Sequence, residues 1–355
     1  MALGLLKKKR FWFTLLVFVA LAYWLWDDFR DADLRAMWER MDLWLVTVAL
    51  VITAFMQVAR ALRWRTIVEP GKQIKVRRAV PLYCAGAALN FMMPALTGQV
   101  GRMILFSKKE GLPKTLIFST FLVEIVFDAL MLYTFIVVCS LWFVYPEAYR
   151  PVSYVVLGLA LALLALLYLQ IAFQKATDRV ITRAFRSRWP SFYVGFMRFT
   201  RSFSKGVRAL KSSSHLLRST FLSVLIWVTH ALAIYLLFEA FGFELPLAAS
   251  IVIVVVNTLA LLLPLTPGNT GTFEVVVVAT LTTLYGVNKA DAALYAVALH
   301  IIDVLPFFLF SVPFMRAEKV SLTELERSEA EAEAELVRLS GEAEWPVKTA
   351  EGDPT

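Results

Sequence analysis

Charged side chains are scarce in this chain, at 18% of 355 residues against the roughly one quarter usual in soluble domains, while 59% of the residues are hydrophobic. That shortage excludes an ordinary water-facing globule. Cysteine is almost absent: Cys84 and Cys139 are the only two, each inside an apolar stretch. A disulfide framework and a spaced metal or redox pair are thereby excluded, and both cysteines read as packing residues. Walker, GxSxG and HExxH patterns are missing as well, so no residues are at hand for ATP-driven work or for the common hydrolase chemistries.

What is abundant is long uncharged runs. Phe11–Trp26, Leu43–Ala59, Val152–Phe173 and Ile251–Leu263 carry no charged residue, and several approach the ~20 residues that cross a bilayer as helix. The fold class expected is all-α, a polytopic membrane helix bundle of about six to eight spanning segments. The first run follows Lys7-Lys8-Lys9-Arg10 and has bulky Tyr23-Trp24-Leu25-Trp26 where a cleavage site would need small residues, which predicts an uncleaved signal anchor.

The formal charge of +8 divides unevenly. Residues 317–355 hold eleven acids and four bases, so residues 1–316 carry +15. In a membrane protein such a basic excess marks cytoplasmic loops and anionic head groups, and nucleic acid is not an expected partner. With Lys7–Arg10 inside, the acidic loop 27–42 lies outside, and the second helix returns near Arg60, Arg63 and Arg65 to a basic inner loop through Lys72, Lys75, Arg77 and Arg78. The next apolar stretch, 79–96, is followed by Arg102, Lys108, Lys109 and Lys114, again basic. A full crossing would put that group outside, so a re-entrant hairpin turning near Pro94–Gly98 is predicted. The linker 175–218, with eleven bases and one acid among interleaved aromatics, reads as amphipathic helix on the inner leaflet. Both termini are expected in the cytoplasm. The 317–355 tail is expected to be helical and then disordered.

Two polar interruptions break the apolar pattern. Pro94-x3-Gly98-x2-Gly101 recurs as Pro264-x3-Gly268-x2-Gly271, with Asn90 before one and Asn257 before the other, and with Thr266 and Pro267 inside the second. Charge bookkeeping turns the first hairpin inward and the second outward, which predicts an inverted repeat of units 43–144 and 219–316. In transporters of that architecture the substrate site lies where broken helices meet. Proline and glycine also serve simply to kink and pack membrane helices, so one such motif alone would signify little.

An ionisable group at mid-membrane costs at least ~2.5 kcal/mol, which makes it a functional candidate. Glu124 and Asp128 stand four apart on one helical face, Glu274 opens the second arm, His300 and Asp303 are one turn apart, and Arg102 supplies positive charge near the first break. Arg102 suits a lipid phosphate, an interfacial position or pairing with Glu124. Glu124 and Asp128 suit proton relay or pairing with Arg102. His300 with Asp303 suits a proton shuttle or a packed pair, and a single histidine gives no metal constellation. No metal and no cofactor are expected.

The segments Asn90-Phe-Met-Met-Pro94-Ala-Leu-Thr-Gly98-Gln-Val-Gly-Arg102, Glu124–Asp128, and Leu263-Pro-Leu-Thr-Pro-Gly268-Asn-Thr-Gly271-Thr-Phe-Glu274 resemble the lysylphosphatidylglycerol synthase transmembrane-region family, a flippase-like domain, over roughly residues 10–316. The resemblance implies a lipid-translocating module in a bacterial or archaeal cytoplasmic membrane. In the multiple peptide resistance factor proteins a similar domain is linked to moving aminoacylated phosphatidylglycerol between leaflets. The soluble aminoacyl-transferring part has no counterpart here, so synthesis of that lipid is not expected. Three functions stay open at this point. One is a translocator of an anionic or phosphate-bearing lipid, another a membrane-embedded lipid-modifying enzyme, and the third a scaffold for a membrane glycosyltransferase or lipid synthase of the cell envelope.

Overall fold

The computed structural model describes residues 39–92, 96–142, 211–260 and 266–317, with isolated positions between 154 and 183. The signal-anchor run 11–26, most of the acidic loop, most of the run 152–173, most of the basic linker, Pro94, Pro264 and the acidic tail lie outside the described residues. Within the continuous segments are eight α-helices and no strand: α1 Leu43–Val68, α2 Val76–Met92, α3 Leu96–Glu110, α4 Lys114–Trp142, α5 Ser213–Ala240, α6 Leu247–Ala260, α7 Thr272–Tyr285 and α8 Lys289–Ala317. A 3-10 turn, Pro267–Asn269, sits between α6 and α7. Four helices, α1, α4, α5 and α8, are long and apolar enough to cross a membrane.

Local chemistry explains several boundaries. The Asp42 carboxylate caps α1 by accepting from the Trp44 and Leu45 amides at 2.8 and 3.2 Å. α1 runs past Arg60, Arg63 and Arg65 to Val68, and Arg63 is buried within the bundle. Likewise Ser213–Arg218, expected in the surface linker, form the first turns of α5. Gly286 ends α7 in the left-handed conformation, φ 67°, and Asn288 caps α8 at the Ala290 amide.

The eight helices form two sets of four with the same order: long, short, short, long. Exchanging α1 with α5, α2 with α6, α3 with α7 and α4 with α8 leaves the main helix–helix packing pattern unchanged. α1 lies against α5, α1 against α8 as α5 against α4, and α2 against α8 as α6 against α4.

The central pair is antiparallel. The Asp42 amide donates to the Ala240 carbonyl at 2.9 Å at one end, and His215 meets Glu69 at 3.5 Å at the other. The α2–α3 hairpin opens toward the Glu69 end, where Lys72 and Arg78 both grip Glu110 at the foot of α3. The α6–α7 hairpin opens toward the Asp42 end, where Phe241, Phe243, Leu245, Tyr285 and Val287 pack on one core with Leu45 and Val46. Arms of 14 residues reach only about 21 Å at 1.5 Å per residue, short of a ~30 Å hydrocarbon core. Neither arm of α6–α7 spans alone.

Candidate functional site

The breaks bring the two hairpins together. Gly268 (φ 60°) lies so close to Phe91, near the end of α2, that a Cβ there would sit 2.3 Å from the ring. Gly98 is packed as tightly on its own hairpin partner, with an added Cβ 2.7 Å from Asn90 Cα. Gly101 is buried one turn further along α3. Gly98 is therefore needed for close approach to the Asn90 backbone, and Gly268 for close approach to the Phe91 ring and for a left-handed conformation. Thr266, buried, ties the second turn by donating to the Thr270 carbonyl at 2.7 Å. Pro267 opens the 3-10 turn.

Two charged clusters flank this junction. In the first set of helices, Arg63 of α1 grips Asp128 of α4 with two N–H···O contacts of 2.6 and 2.9 Å and also donates to Ser223 of α5 at 3.0 Å. Trp227 of α5 adds a longer contact to Asp128, 3.4 Å. Arg102 of α3 pairs with Glu124 at 3.0 Å, and its guanidinium is ringed by Tyr83, Phe106 and Phe121 at 4.6, 5.2 and 4.3 Å. Such a cage stabilises a cation in a low-dielectric setting. Of the contacts open to it from sequence, Arg102 makes the one with Glu124. Asp128 does not share Arg102; it belongs to Arg63.

In the second set, Glu274 joins the break to α8. One carboxylate oxygen accepts from the Gly271 amide at 2.6 Å, a capping contact at the start of α7. The other lies 2.6 Å from His300 Nδ1. Phe273 stacks on the His300 ring at 4.5 Å and Phe91 meets its edge at 5.6 Å. Asp303 faces His230 of α5 at 3.4 Å. The spacing that invited a His300–Asp303 pair is thus misleading, because the two side chains take different partners. Asn257, buried on α6, has its side-chain oxygen unpartnered. Among the described residues no group of three or more His, Cys, Asp or Glu side chains stands ready for a metal ion.

The clusters occupy corresponding places. Asp128 lies fourteen residues after Lys114, the first of α4, and Asp303 fourteen after Lys289, the first of α8. Each joins the last helix of its set to the first, one through Arg63 and the other through His230. Sequence reasoning took Arg63 for an interfacial residue and passed over His230, Tyr83 and Trp227. The signal available was that Arg63 and His230 lie equally far, 27 residues, before Asn90 and Asn257.

Four long apolar helices and two short-armed hairpins that meet tip to tip define a polytopic helical membrane protein, with its polar groups gathered where the hairpins abut. The chain belongs to the lysylphosphatidylglycerol synthase transmembrane-region family, whose description matches residues 11–311. It is also 22% identical over 245 residues, 66% of this chain and 73% of the relative, to a protein described as a UPF0104 membrane protein from the archaeon Methanocaldococcus jannaschii.

Proposed function

We propose that the protein translocates a phospholipid or lipid-linked intermediate across a bacterial or archaeal cytoplasmic membrane. The observation that carries this is the meeting of the α2–α3 and α6–α7 hairpins, which open toward opposite ends while neither arm of α6–α7 is long enough to span. Broken backbone at membrane depth is tolerated where it is buried in protein or lines a polar path, and opposed broken helices are the usual frame of an alternating-access site. The end bearing Lys72, Lys75, Arg77, Arg78, Lys108 and Lys109 faces the cytoplasm in this reading, as the positive-inside rule requires.

Purified protein in liposomes containing labelled phosphatidylglycerol or a polyisoprenyl phosphate tests the proposal. Protein-dependent movement of label between leaflets is expected. Movement no faster than in empty vesicles for every lipid tried would refute it. If mass spectrometry finds the lipid chemically altered, the Glu274–His300 dyad becomes a candidate acid–base pair and the enzyme reading takes over. A scaffold for a glycosyltransferase or lipid synthase would leave the lipid neither moved nor altered.

A further inference from the structure

The chain has three histidines, and all of them lie in the second set of helices. Each faces a carboxylate on another helix: His215 of α5 meets Glu69 of α1 at 3.5 Å, His230 of α5 meets Asp303 of α8 at 3.4 Å, and His300 of α8 meets Glu274 of α7 at 2.6 Å. The last two are counterparts of the arginine pairs. In the first set the last helix, α4, is tied to α1 by Arg63–Asp128 and to α3 by Arg102–Glu124. In the second set α8 is tied to α5 by His230–Asp303 and to α7 by His300–Glu274. Corresponding helices are joined, but the cation differs. Guanidinium keeps its charge at every physiological pH, whereas imidazole gains and loses a proton between about pH 5 and 8.

Each ring has a nitrogen to spare. His300 turns Nδ1 to Glu274 and His230 turns Nε2 to Asp303, and among the described residues the opposite nitrogens make no hydrogen bond. The His230 and Asp303 side chains keep 15% and 17% of their surface exposed, so that pair is not sealed inside the bundle. Asp303 Oδ1 accepts from no donor among the described residues. With the carboxylate ionised, a neutral histidine carries its hydrogen on the nitrogen facing the acid, which leaves the opposite nitrogen basic. Uptake of one proton there makes an imidazolium–carboxylate pair, with stronger hydrogen bonding; release returns the proton to water. Few other charges face these pairs. α6 carries none and α7 only Glu274. On α2, Arg77, Arg78, Tyr83 and Cys84 lie about two turns or more from Phe91, the residue that meets His300. On α4, Asp128 comes near His230 through Trp227, one turn away, but Arg63 holds it, as Arg102 holds Glu124. The antiparallel register of α1 and α5 sets His230 near Thr53, about two turns from Arg60. α5 itself adds Tyr235 and Glu239, more than one turn further on. On α8, the Tyr295 hydroxyl donates to the Ile234 carbonyl at 3.1 Å.

We infer that His230–Asp303 and His300–Glu274, one turn apart on α8, are proton-binding sites that set how α8 is held against α5 and α7, while the arginine pairs hold α4 unchanged. The lever is the hairpin junction. The His300 ring stacks on Phe273 at 4.5 Å and meets the edge of Phe91, and Phe91 is the ring against which Gly268 is pressed. A charge on His300 strengthens its hold on Glu274 and on the Phe273 face. Glu274 in turn caps the first turn of α7 through the Gly271 amide. Protonation therefore tightens the α6–α7 hairpin on α8 and leaves the frame of the other hairpin alone. Proton binding stands on these contacts; its control of a lipid's passage rests on the translocation reading.

The intact protein carrying ring-labelled histidine is studied by NMR in neutral detergent between about pH 5 and 8. His215→Gln, His230→Gln and His300→Gln assign the three imidazole signals. The His230 and His300 signals should titrate within that range. Asp303→Asn should move the His230 midpoint, and Glu274→Gln the His300 midpoint, each by about one pH unit or more. Because Glu274→Gln also touches the α7 cap, movement is read separately from spin labels at Val228 of α5 and Leu309 of α8, both exposed. Their spacing should change by about 1–2 Å with pH in wild type and stay fixed in His230→Gln/His300→Gln. Signals that remain in one protonation state, midpoints unmoved by Asp303→Asn and Glu274→Gln, or a spacing independent of pH would overturn the inference. In liposomes, exchange of labelled phosphatidylglycerol should vary several-fold with pH in wild type and not in the double variant. Exchange at one rate across the range would keep the translocation reading and overturn proton control. Titration and movement without exchange at any pH would keep the proton sites and remove the translocation reading.

Discussion

Breaking the Arg63–Asp128 pair asymmetrically should be far worse than removing it whole. Arg63 is 2% exposed, makes two contacts of 2.6 and 2.9 Å to Asp128 and one of 3.0 Å to Ser223. Asp128→Asn would leave that guanidinium buried with a neutral partner, a situation that costs about 3–5 kcal/mol when a buried pair loses one member. The open side of Asp128 admits some solvent, so the lower end, about 3 kcal/mol, is expected. Arg63→Met should cost less, because the carboxylate it abandons can reach solvent and still has Trp227. The double variant Arg63→Met/Asp128→Leu removes both desolvation penalties and should recover most of the loss. Reversible unfolding in mixed micelles, followed by tryptophan fluorescence, gives the four corners of a double-mutant cycle. A coupling energy of about 2 kcal/mol or more is expected. Additive single losses, with coupling below about 0.5 kcal/mol, would mean that the pair is not a unit, and the reasoning would fail.

Gly268→Ala should destabilise more than Gly286→Ala. Both positions have φ near 60–67°, worth about 1–2 kcal/mol against a side chain, but only at Gly268 does a Cβ meet a ring, at 2.3 Å, whereas Gly286 has open space. Phe91→Ala in the Gly268→Ala background should recover the clash but not the backbone strain; no recovery would show that the two hairpins are not in contact there. Gly98→Ala, whose Cβ would meet Asn90 backbone at 2.7 Å, should lower the unfolding midpoint, with no rescue from Asn90→Ala because Cα and carbonyl remain. Glu274→Gln keeps an acceptor for the Gly271 amide but loses the charge facing His300, so about 1–2 kcal/mol is expected, and Glu274→Ala should cost more. Single cysteines at Lys109 and Asn288, in a Cys84→Ala/Cys139→Ala background, should label from opposite sides of sealed vesicles; labelling from one side would refute the opposed hairpins.

Much of the architecture was legible from residue order. The uncharged runs at 43–59 and 251–263, the glycine–proline breaks and the alternation of basic and acidic loops led to long helices joined by short-armed hairpins, and the structure has α1, α4, α5 and α8 with α2–α3 and α6–α7 between them. Past the uncharged run, α1 continues through Arg60, Arg63 and Arg65 to Val68. A helix is ended by lost backbone partners, and arginines with long aliphatic stems do not stop one: Arg63 is received by Asp128 of α4, and Arg65 reaches Glu69 and the Ile74 carbonyl.

Partner choice was not legible. His300 and Asp303, one turn apart, project at different angles around α8, one toward α7 and the other toward α5. Glu124 and Asp128 share a face of α4 yet divide between Arg102 of α3 and Arg63 of α1. From its sequence alone this protein is determined to be a charge-poor membrane chain with two matching breaks, because lipid dictates apolar length and backbone chemistry dictates where helices fail. Which charges meet was decided by tertiary structure, because helix rotation and crossing are set by packing between segments up to 160 residues apart.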